Sequence, residues 1–144
     1  MAGRTTGCDP YKAVPLKADD GCQPHIRLVK VHRDSSQSRL IHCHFVAYPL
    51  AACPPYIALS YTWNCSNAPK ETKKETILLQ SHPCAIGQNL YSFLRRVRRD
   101  SHDRLYWIDA LCINQADNAE RSHQVRLMRD IYSSAARVIV WLGE

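Results

Sequence analysis

The sequence predicts an α/β fold, in which a parallel sheet with helical crossovers is preceded by an N-terminal β-hairpin. Residues 56–142 alternate short apolar runs with amphipathic helical segments, a pattern typical of parallel strands joined by right-handed crossovers. Residues 26–48 hold two strand-like runs around a turn-forming stretch, which predicts the hairpin. The 144 residues, 45% of them hydrophobic and 22% charged, fit one globular domain with a packed core.

The N-terminal third divides into a lead-in and the predicted hairpin. Residues 1–24 are rich in Gly, Asp, Pro and Lys without a hydrophobic period, so we expect an irregular lead-in and place the domain at 25–144. IRLVKV (26–31) and LIHCHFVAY (40–48) have the character of strands. PLAACPP (49–55) is a proline-rich connector, because proline cannot donate to a central ladder.

The middle of the chain contains a buried strand and a second short hairpin. YIALSY (56–61) is an apolar run suited to a strand covered on both faces. The polar stretch 64–75 predicts a surface loop. ILLQ (77–80) and PCAIG (83–87) favour two short strands that turn around residues 81–82.

A helix and a strand follow. Asn89 is a suitable N-cap for a helix that ends near Arg99. LYWIDA (105–110) has the apolar, aromatic composition of a strand, and residues 111–117 form the loop after it. The apolar stripe of the helix consists of Leu90, Phe93, Leu94 and Val97.

The last helix and strand have clear start signals. Asp117 and Glu120 match a capping box, which opens a helix over about 118–135. RVIVWL (137–142) is a β-branched, apolar run and predicts the final strand. The helix is expected to bury Val125, Met128, Ile131, Tyr132 and Ala135.

Composition excludes several protein classes. No apolar run approaches the roughly 18–20 residues that cross a bilayer, and the N-terminus lacks the apolar region of a secretory signal. We therefore expect a cytoplasmic protein without membrane contact. The seven cysteines show no CxxC spacing and are expected to be free thiols.

The net charge of +6 is concentrated in an arginine cluster at 95–104. A solvated helix face is the favoured interpretation, and nucleic acid is an unlikely partner because the cluster lacks a docking motif and interleaved aromatic residues. His42, Cys43 and His44 match no zinc motif, and adjacent strand residues point to opposite faces, so no metal is expected.

Polar residues follow two of the predicted parallel strands and begin the last helix. Because ligands bind beyond the carboxyl ends of parallel strands, and helix N-termini favour anions, these residues predict a nucleotide or phosphate site. A nucleotide is the cofactor that such a site would hold. The candidate ligand-binding residues are Tyr61, Trp63, Asp109, Cys112, Asn114, Gln115, Glu120, Arg121 and Gln124.

Several candidates also have a structural alternative. Asp109 either orients a ribose hydroxyl or acts as a base, or it bonds the amides of its own loop. Glu120 is a capping residue or a site carboxylate, and Trp63 stacks on a planar ligand or belongs to the core. Cys112, between a strand and a helix, could have a lowered thiol pKa. Gln124 reads a ligand or ties the loop down.

Three segments carry a family resemblance: YIALSYTWN (56–64), IGQNLYSFLRRVR (86–98) and the long stretch from Trp107 to Gly143. Together with the predicted hairpin they resemble the fungal heterokaryon incompatibility (HET) domain. The resemblance implies a role in nonself recognition and programmed cell death, through protein association. It also implies a more remote, TIR-like and flavodoxin-like fold, in which the strands at 56–61, 105–110 and 137–142 come first, second and third.

The resemblance also bears on activity. TIR-like enzymes cleave NAD with a glutamate on a helix after the third strand, and this sequence ends at Glu144. The expectation is therefore a C-terminally truncated HET domain, with no assigned catalytic residue, whose exposed sheet edge favours self-association. The alternatives are an NAD hydrolase active only in an oligomer or with a partner, and an inactive fragment or regulator.

Overall fold

The computed structural model describes residues 9–16, 23–33, 40–61, 74–99 and 103–142. They form seven strands and four α-helices. The strands are β1 (His25–Val31), β2 (His42–Pro49), β3 (Ile57–Tyr61), β4 (Lys74–Leu79), β5 (His82–Gly87), β6 (Leu105–Ile108) and β7 (Arg137–Trp141). The helices are α1 (Pro10–Ala13), α2 (Gln88–Val97), α3 (Asp109–Cys112) and α4 (Asn118–Ser134), with a 3₁₀ turn at Leu50–Ala52.

One sheet contains all seven strands, in the order β5-β4-β2-β1-β6-β3-β7. The predicted α/β class is confirmed, but the predicted parallel sheet is wrong in part, because the sheet is mixed. Strands β6, β3 and β7 are parallel, whereas β1 runs antiparallel to both β2 and β6. Strands β1 and β2 therefore stand near the centre of the sheet rather than ahead of it. Residues 34–39, which connect them, lie outside the described residues.

The parallel part of the sheet follows the chirality that crossover connections require. Helix α2 leads into β6 on one side of β3, and α4 leads from β6 to β7 on the other side. Since both crossovers are expected to be right-handed, the two helices cover opposite faces. Phe93 of α2 contacts Tyr106 and Trp141 on one face, and Tyr132 of α4 contacts Trp107 on the other.

The core is built from the central strands and α2. Its fully buried members include Leu28, Leu59, Trp107 and Leu94. Burying a side chain of this size contributes roughly 1.5–3 kcal/mol, so these layers dominate the stability of the sheet.

Two helix starts differ from the sequence predictions. Helix α2 begins at Gln88, and its N-cap is Gly87 rather than the predicted Asn89. The predicted strand 105–110 ends at Ile108, because the chain turns into α3 at Asp109. The predicted stripe of α2 is confirmed, with Leu90, Phe93 and Leu94 buried and Val97 packed against the core.

Two further expectations are corrected by packing. Val125 of α4 is exposed rather than buried, because Gln124 occupies the inward position of that turn. Residues 10–13 of the predicted lead-in are helical, with the Asp9 side chain accepting a hydrogen bond from the Tyr11 amide. Helix α1 is held to the domain by the Tyr11 hydroxyl, which donates to the Leu111 carbonyl at 2.8 Å.

The hairpin between β4 and β5 has a tight turn. Gln80 and Ser81 have φ values of 53° and 64°, the left-handed conformation that two-residue hairpin turns adopt. The Gln80 side chain accepts a 2.6 Å hydrogen bond from the Phe45 amide, which ties the turn to β2. The predicted second hairpin is confirmed, with its turn one residue earlier than expected.

Candidate functional site

The carboxyl ends of β3, β6 and β7 lie at one edge of the sheet, because these three strands are parallel neighbours. Leu59 pairs with Ile108, and Tyr61 pairs with Trp141. The next residue after β6 is Asp109, so Asp109 and Tyr61 reach the same edge. We call this edge, with Tyr61, Asp109 and Tyr132, the carboxyl edge.

Burial and the charge of Asp109 act on both tyrosines of this edge. Burial raises the pKa of Tyr61, and the Asp109 charge raises it further. The pKa of Tyr132 is raised by the same two causes, in the same order. Both phenols therefore stay protonated at neutral pH and can donate hydrogen bonds, as Tyr132 does to the Leu59 carbonyl at 3.2 Å.

The start of α4 is held by internal hydrogen bonds. The Asp117 side chain accepts from the Glu120 amide at 3.1 Å, which forms half of the predicted capping box. The other half does not form, because the Glu120 carboxylate accepts from the Asn114 amide at 2.5 Å instead. The Arg121 amide bonds the Asp117 carbonyl at 2.9 Å. The helix start therefore uses these groups to close its own loop.

The partner of Glu120 is Arg27 of β1, a residue that the sequence analysis did not single out. Two guanidinium nitrogens of Arg27 donate to the two carboxylate oxygens of Glu120 at 2.8 and 2.9 Å. Arg27 also donates to the carbonyls of Val14, at 2.7 Å, and Cys112, at 3.1 Å. Arg27 is 1% exposed, and four of its five guanidinium N–H groups donate hydrogen bonds within the protein, which favours a structural role for the pair.

Aromatic rings complete the surroundings of this buried cation. The guanidinium carbon of Arg27 lies 5.0 Å from the ring centroid of Tyr11 and 5.8 Å from that of Phe45. We call Arg27, Glu120 and these two rings the arginine clamp. An arginine inside an apolar run such as IRLVKV is the signal that could have revealed it, since buried charges need partners.

Two more candidates also serve the loop. The Gln115 side chain donates to the Asp109 carbonyl at 3.0 Å, and the Asn114 side chain accepts from the Ala116 amide at 3.2 Å. Gln124 is fully buried and donates to the His25 carbonyl at 2.9 Å, whereas its side-chain oxygen has no partner among the described residues. These contacts favour the structural alternative for Gln124 and give Asn114 and Gln115 roles within the loop.

Cys112 is not an activated thiol. It is fully buried, and burial raises its pKa to about 12, although a hydrogen bond from the Ile108 amide acts in the opposite direction. The lowered pKa considered for Cys112 is therefore wrong, because burial disfavours the thiolate. Arg121 is exposed on α4, and Trp63 lies outside the described residues.

Metal-binding clusters and membrane-spanning helices are two further features that the described residues lack. They contain no group of three or more His, Cys, Asp and Glu side chains with a geometry that could hold a metal ion. The helices of the described segments all fall short of the length and apolar character that crossing a bilayer requires.

Comparison with known proteins agrees with the motifs at this edge. Residues 56–144 match the family model of the heterokaryon incompatibility protein (HET). The chain is 41% identical over 127 residues to heterokaryon incompatibility protein 6, OR allele, of Neurospora crassa. That match covers 83% of this chain and 19% of the relative, so the chain spans about a fifth of the relative's length.

No solved structure matches the chain significantly. The family model includes β3, β6, α4 and β7, the elements that carry the carboxyl edge. The model and the relative agree on the family, and the chain belongs to the heterokaryon incompatibility (HET) family.

Proposed function

We propose that this chain acts in heterokaryon incompatibility, the discrimination of self from nonself when fungal cells fuse, and that it leads to programmed cell death through self-association or association with a protein partner. Membership of the HET family supports the biological role. The surface of β7 supports association. Association, unlike the biological role, can be tested on the isolated chain.

Strand β7 is at one end of the strand order, so its outer edge has no strand partner among the described residues. Val138 and Val140 are 44% and 65% exposed, and Leu142 just beyond the strand is 88% exposed. Trp141 contacts α2, so these alternating residues point to the opposite face. Beyond Arg137, its first residue, β7 is apolar, and an apolar edge strand is a template for pairing with another chain.

A matched pair of variants tests this proposal. Val140→Lys places a charge on the exposed edge and should abolish concentration-dependent dimers in light scattering, because lysine on an edge strand opposes pairing. Leu40→Lys, at an exposed apolar position on the far side of β1 and β6, should leave association unchanged.

The same variants are then overexpressed in a filamentous fungus. Wild type and Leu40→Lys should arrest growth, and Val140→Lys should not. Healthy growth with the wild-type chain at high expression would contradict the cell-death role and favour an inactive fragment or regulator. Arrest by all three variants would contradict only the role of the edge.

Nucleotide binding at the carboxyl edge is the second candidate. In chain order β3, β6 and β7 are the first, second and third parallel strands, and their spatial order is second, first, third. That order supports a TIR-like, flavodoxin-like arrangement, in which ligands bind at the carboxyl ends beside the first strand. Tyr61 and Asp109 lie there, and a neutral phenol beside a carboxylate suits ribose hydroxyls and a planar base.

Calorimetry with NAD tests this second candidate. Wild-type protein should bind NAD, and Asp109→Asn should weaken binding about tenfold, since hydrogen bonds to charged groups are worth about 1.5–3 kcal/mol. Asp130→Asn, on an exposed position of α4, is the control. Release of nicotinamide by the concentrated chain would support the oligomeric hydrolase, and absence of any binding heat would contradict nucleotide binding.

A further inference from the structure

A cleft opens at the opposite end of the parallel strands, far from the carboxyl edge. Its volume is about 290 Å³, near the lower limit of the roughly 300–1,000 Å³ that small-molecule sites occupy. The lining includes Leu105, the first residue of β6, and Tyr56 and Ala136, which immediately precede β3 and β7. The cleft therefore lies on the amino ends of β6, β3 and β7.

Two arginines border this cleft, one next to β6 and one in β7, the strands on either side of β3. Arg104 immediately precedes β6, and Arg137 begins β7. Tyr106, Ile57 and Arg137 stand in one row across the sheet, and Arg104 is two residues before Tyr106. Residues in one row of the sheet share a face, and Tyr106 contacts Phe93 of α2, so Arg137 points to the α2 side.

The local acid does not neutralise these two charges. Asp103 also lines the cleft, but its carboxylate is 3.2 Å from the ammonium group of Lys30 on β1. Neither Arg104 nor Arg137 makes an ion pair with a described residue.

The lining of the cleft between the two arginines is apolar. The Tyr56 hydroxyl donates to the Ile131 carbonyl and Tyr56 is buried, so its hydroxyl does not face the cleft as a competing polar group. Ile57, Leu105 and Ala136 contribute no charge. A low-dielectric wall strengthens the attraction between guanidinium groups and a bound anion.

We propose that this cleft between Arg104 and Arg137 binds the dianionic phosphate group of a phosphate monoester. The two arginines are separated by the width of two strand spacings, roughly 10 Å across the sheet, so their side chains can approach one group from opposite sides. A phosphate presents three terminal oxygens in different directions and suits two guanidinium forks. A carboxylate has only two coplanar oxygens, which a single arginine satisfies.

The proposal is tested by titrating the protein with inorganic phosphate at constant ionic strength, against chloride, and following backbone amides by NMR. Saturable shifts at Ile57, Leu105 and Ala136 are expected. The variant Arg104→Gln/Arg137→Gln should weaken binding at least about tenfold, because each charge-assisted hydrogen bond to phosphate is lost. Arg126→Gln, on the exposed face of α4, should bind as wild type does.

Two further probes identify the source of the phosphate. A nucleoside monophosphate represents a free metabolite, and a phosphoserine peptide represents a modified protein; tighter binding of either than inorganic phosphate names the source. Absence of saturable shifts with all three probes overturns the proposal. Equal binding by the double variant, with its native spectrum retained, also overturns it. Asp109→Asn should not affect this site, so the result is independent of nucleotide binding at the carboxyl edge.

Discussion

At the residue scale, the arginine clamp shows how one side chain can hold distant parts of a fold. Arg27 contacts the segment before β1, the end of α3 and the first turn of α4 through separate hydrogen bonds. Its partner Glu120 also fixes the Asn114 amide. The loop that follows Asp109 is therefore placed by a buried ion pair.

Removal of the Arg27 charge should destabilise the protein strongly. We expect Arg27→Met to lower the free energy of unfolding by about 3–5 kcal/mol, because it leaves the Glu120 carboxylate without its buried partner. Urea denaturation measures the change. Lys30→Met, which removes an exposed ion pair to Asp103, is the control and should have little effect. Equal losses in the two variants would contradict the structural role of the clamp.

A histidine pair predicts how stability depends on pH. The Nε2 atom of His32 lies 2.6 Å from Nδ1 of His44, so one ring donates a hydrogen bond to the other. Burial lowers the pKa of both, and the neighbouring imidazoles and Lys30 lower it further. Below the ordinary histidine pKa of about 6.5, the unfolded chain binds more protons than the folded one. The stability is thus present above that pH and is lost as the pH falls.

We therefore expect the free energy of unfolding to decrease as the pH falls from neutral to mildly acidic. His44→Asn should show a smaller decrease than wild type, since the remaining ring has no imidazole neighbour at hydrogen-bond distance. Urea denaturation at several pH values gives the comparison. His25→Asn, at a position outside the pair, is the control, and an identical pH slope for wild type and His44→Asn would count against the effect.

At the element scale, the β4–β5 turn carries backbone strain at two residues, and only one of them has a side-chain hydrogen bond that compensates for it. Gln80 and Ser81 both adopt the left-handed conformation, which costs residues other than glycine about 1–2 kcal/mol. Gln80 has a compensating role, because its side chain accepts the Phe45 amide. Among the described residues, the Ser81 side chain makes no hydrogen bond that offsets its conformation.

Ser81→Gly should stabilise the protein by about 0.5–1 kcal/mol, because glycine adopts positive φ without a steric cost. Gln80→Gly relieves the same strain but loses the bond to Phe45, so it should gain less or destabilise. Thermal and urea unfolding of the two variants decide between them. A larger gain from Gln80→Gly would show that the side-chain bond contributes little.

At the scale of the whole molecule, local patterns predicted the elements better than their arrangement. Strands β3 and β7 and helix α4 appear close to their predicted positions, since their periodicity and caps are local properties. The insertion of β1 between β2 and β6 could not be predicted, because antiparallel pairing with a strand some 75 residues later leaves no local pattern.

The candidate site was predicted in the same uneven way. Parallel pairing of β3 and β6 brings Tyr61 and Asp109 to one edge, as expected. The residues after Asp109 proved to be mostly structural, because their hydrogen bonds close the loop around Glu120. The side chain that decides this, Arg27, lies 93 residues from Glu120 in the sequence, beyond the reach of motif analysis.

The position of β1 predicts that the segment matching the family model is not a stable unit. A fragment of residues 56–144 would lack both central strands and would leave Glu120 without Arg27. We expect no cooperative thermal unfolding for this fragment in circular dichroism, whereas the full chain should unfold in one transition. A cooperative transition at the full chain's midpoint would contradict the central role of β1 and β2.

The separation between Arg27 and Glu120 also has a consequence for synthesis on the ribosome. The cation emerges 93 residues before the carboxylate that neutralises it. Until that carboxylate is translated, burying β1 in the protein interior would leave the Arg27 charge without its partner, at a cost of several kcal/mol. The first two strands of the nascent polypeptide are thus kept from settling early, and commitment to the native sheet waits for the beginning of the last helix.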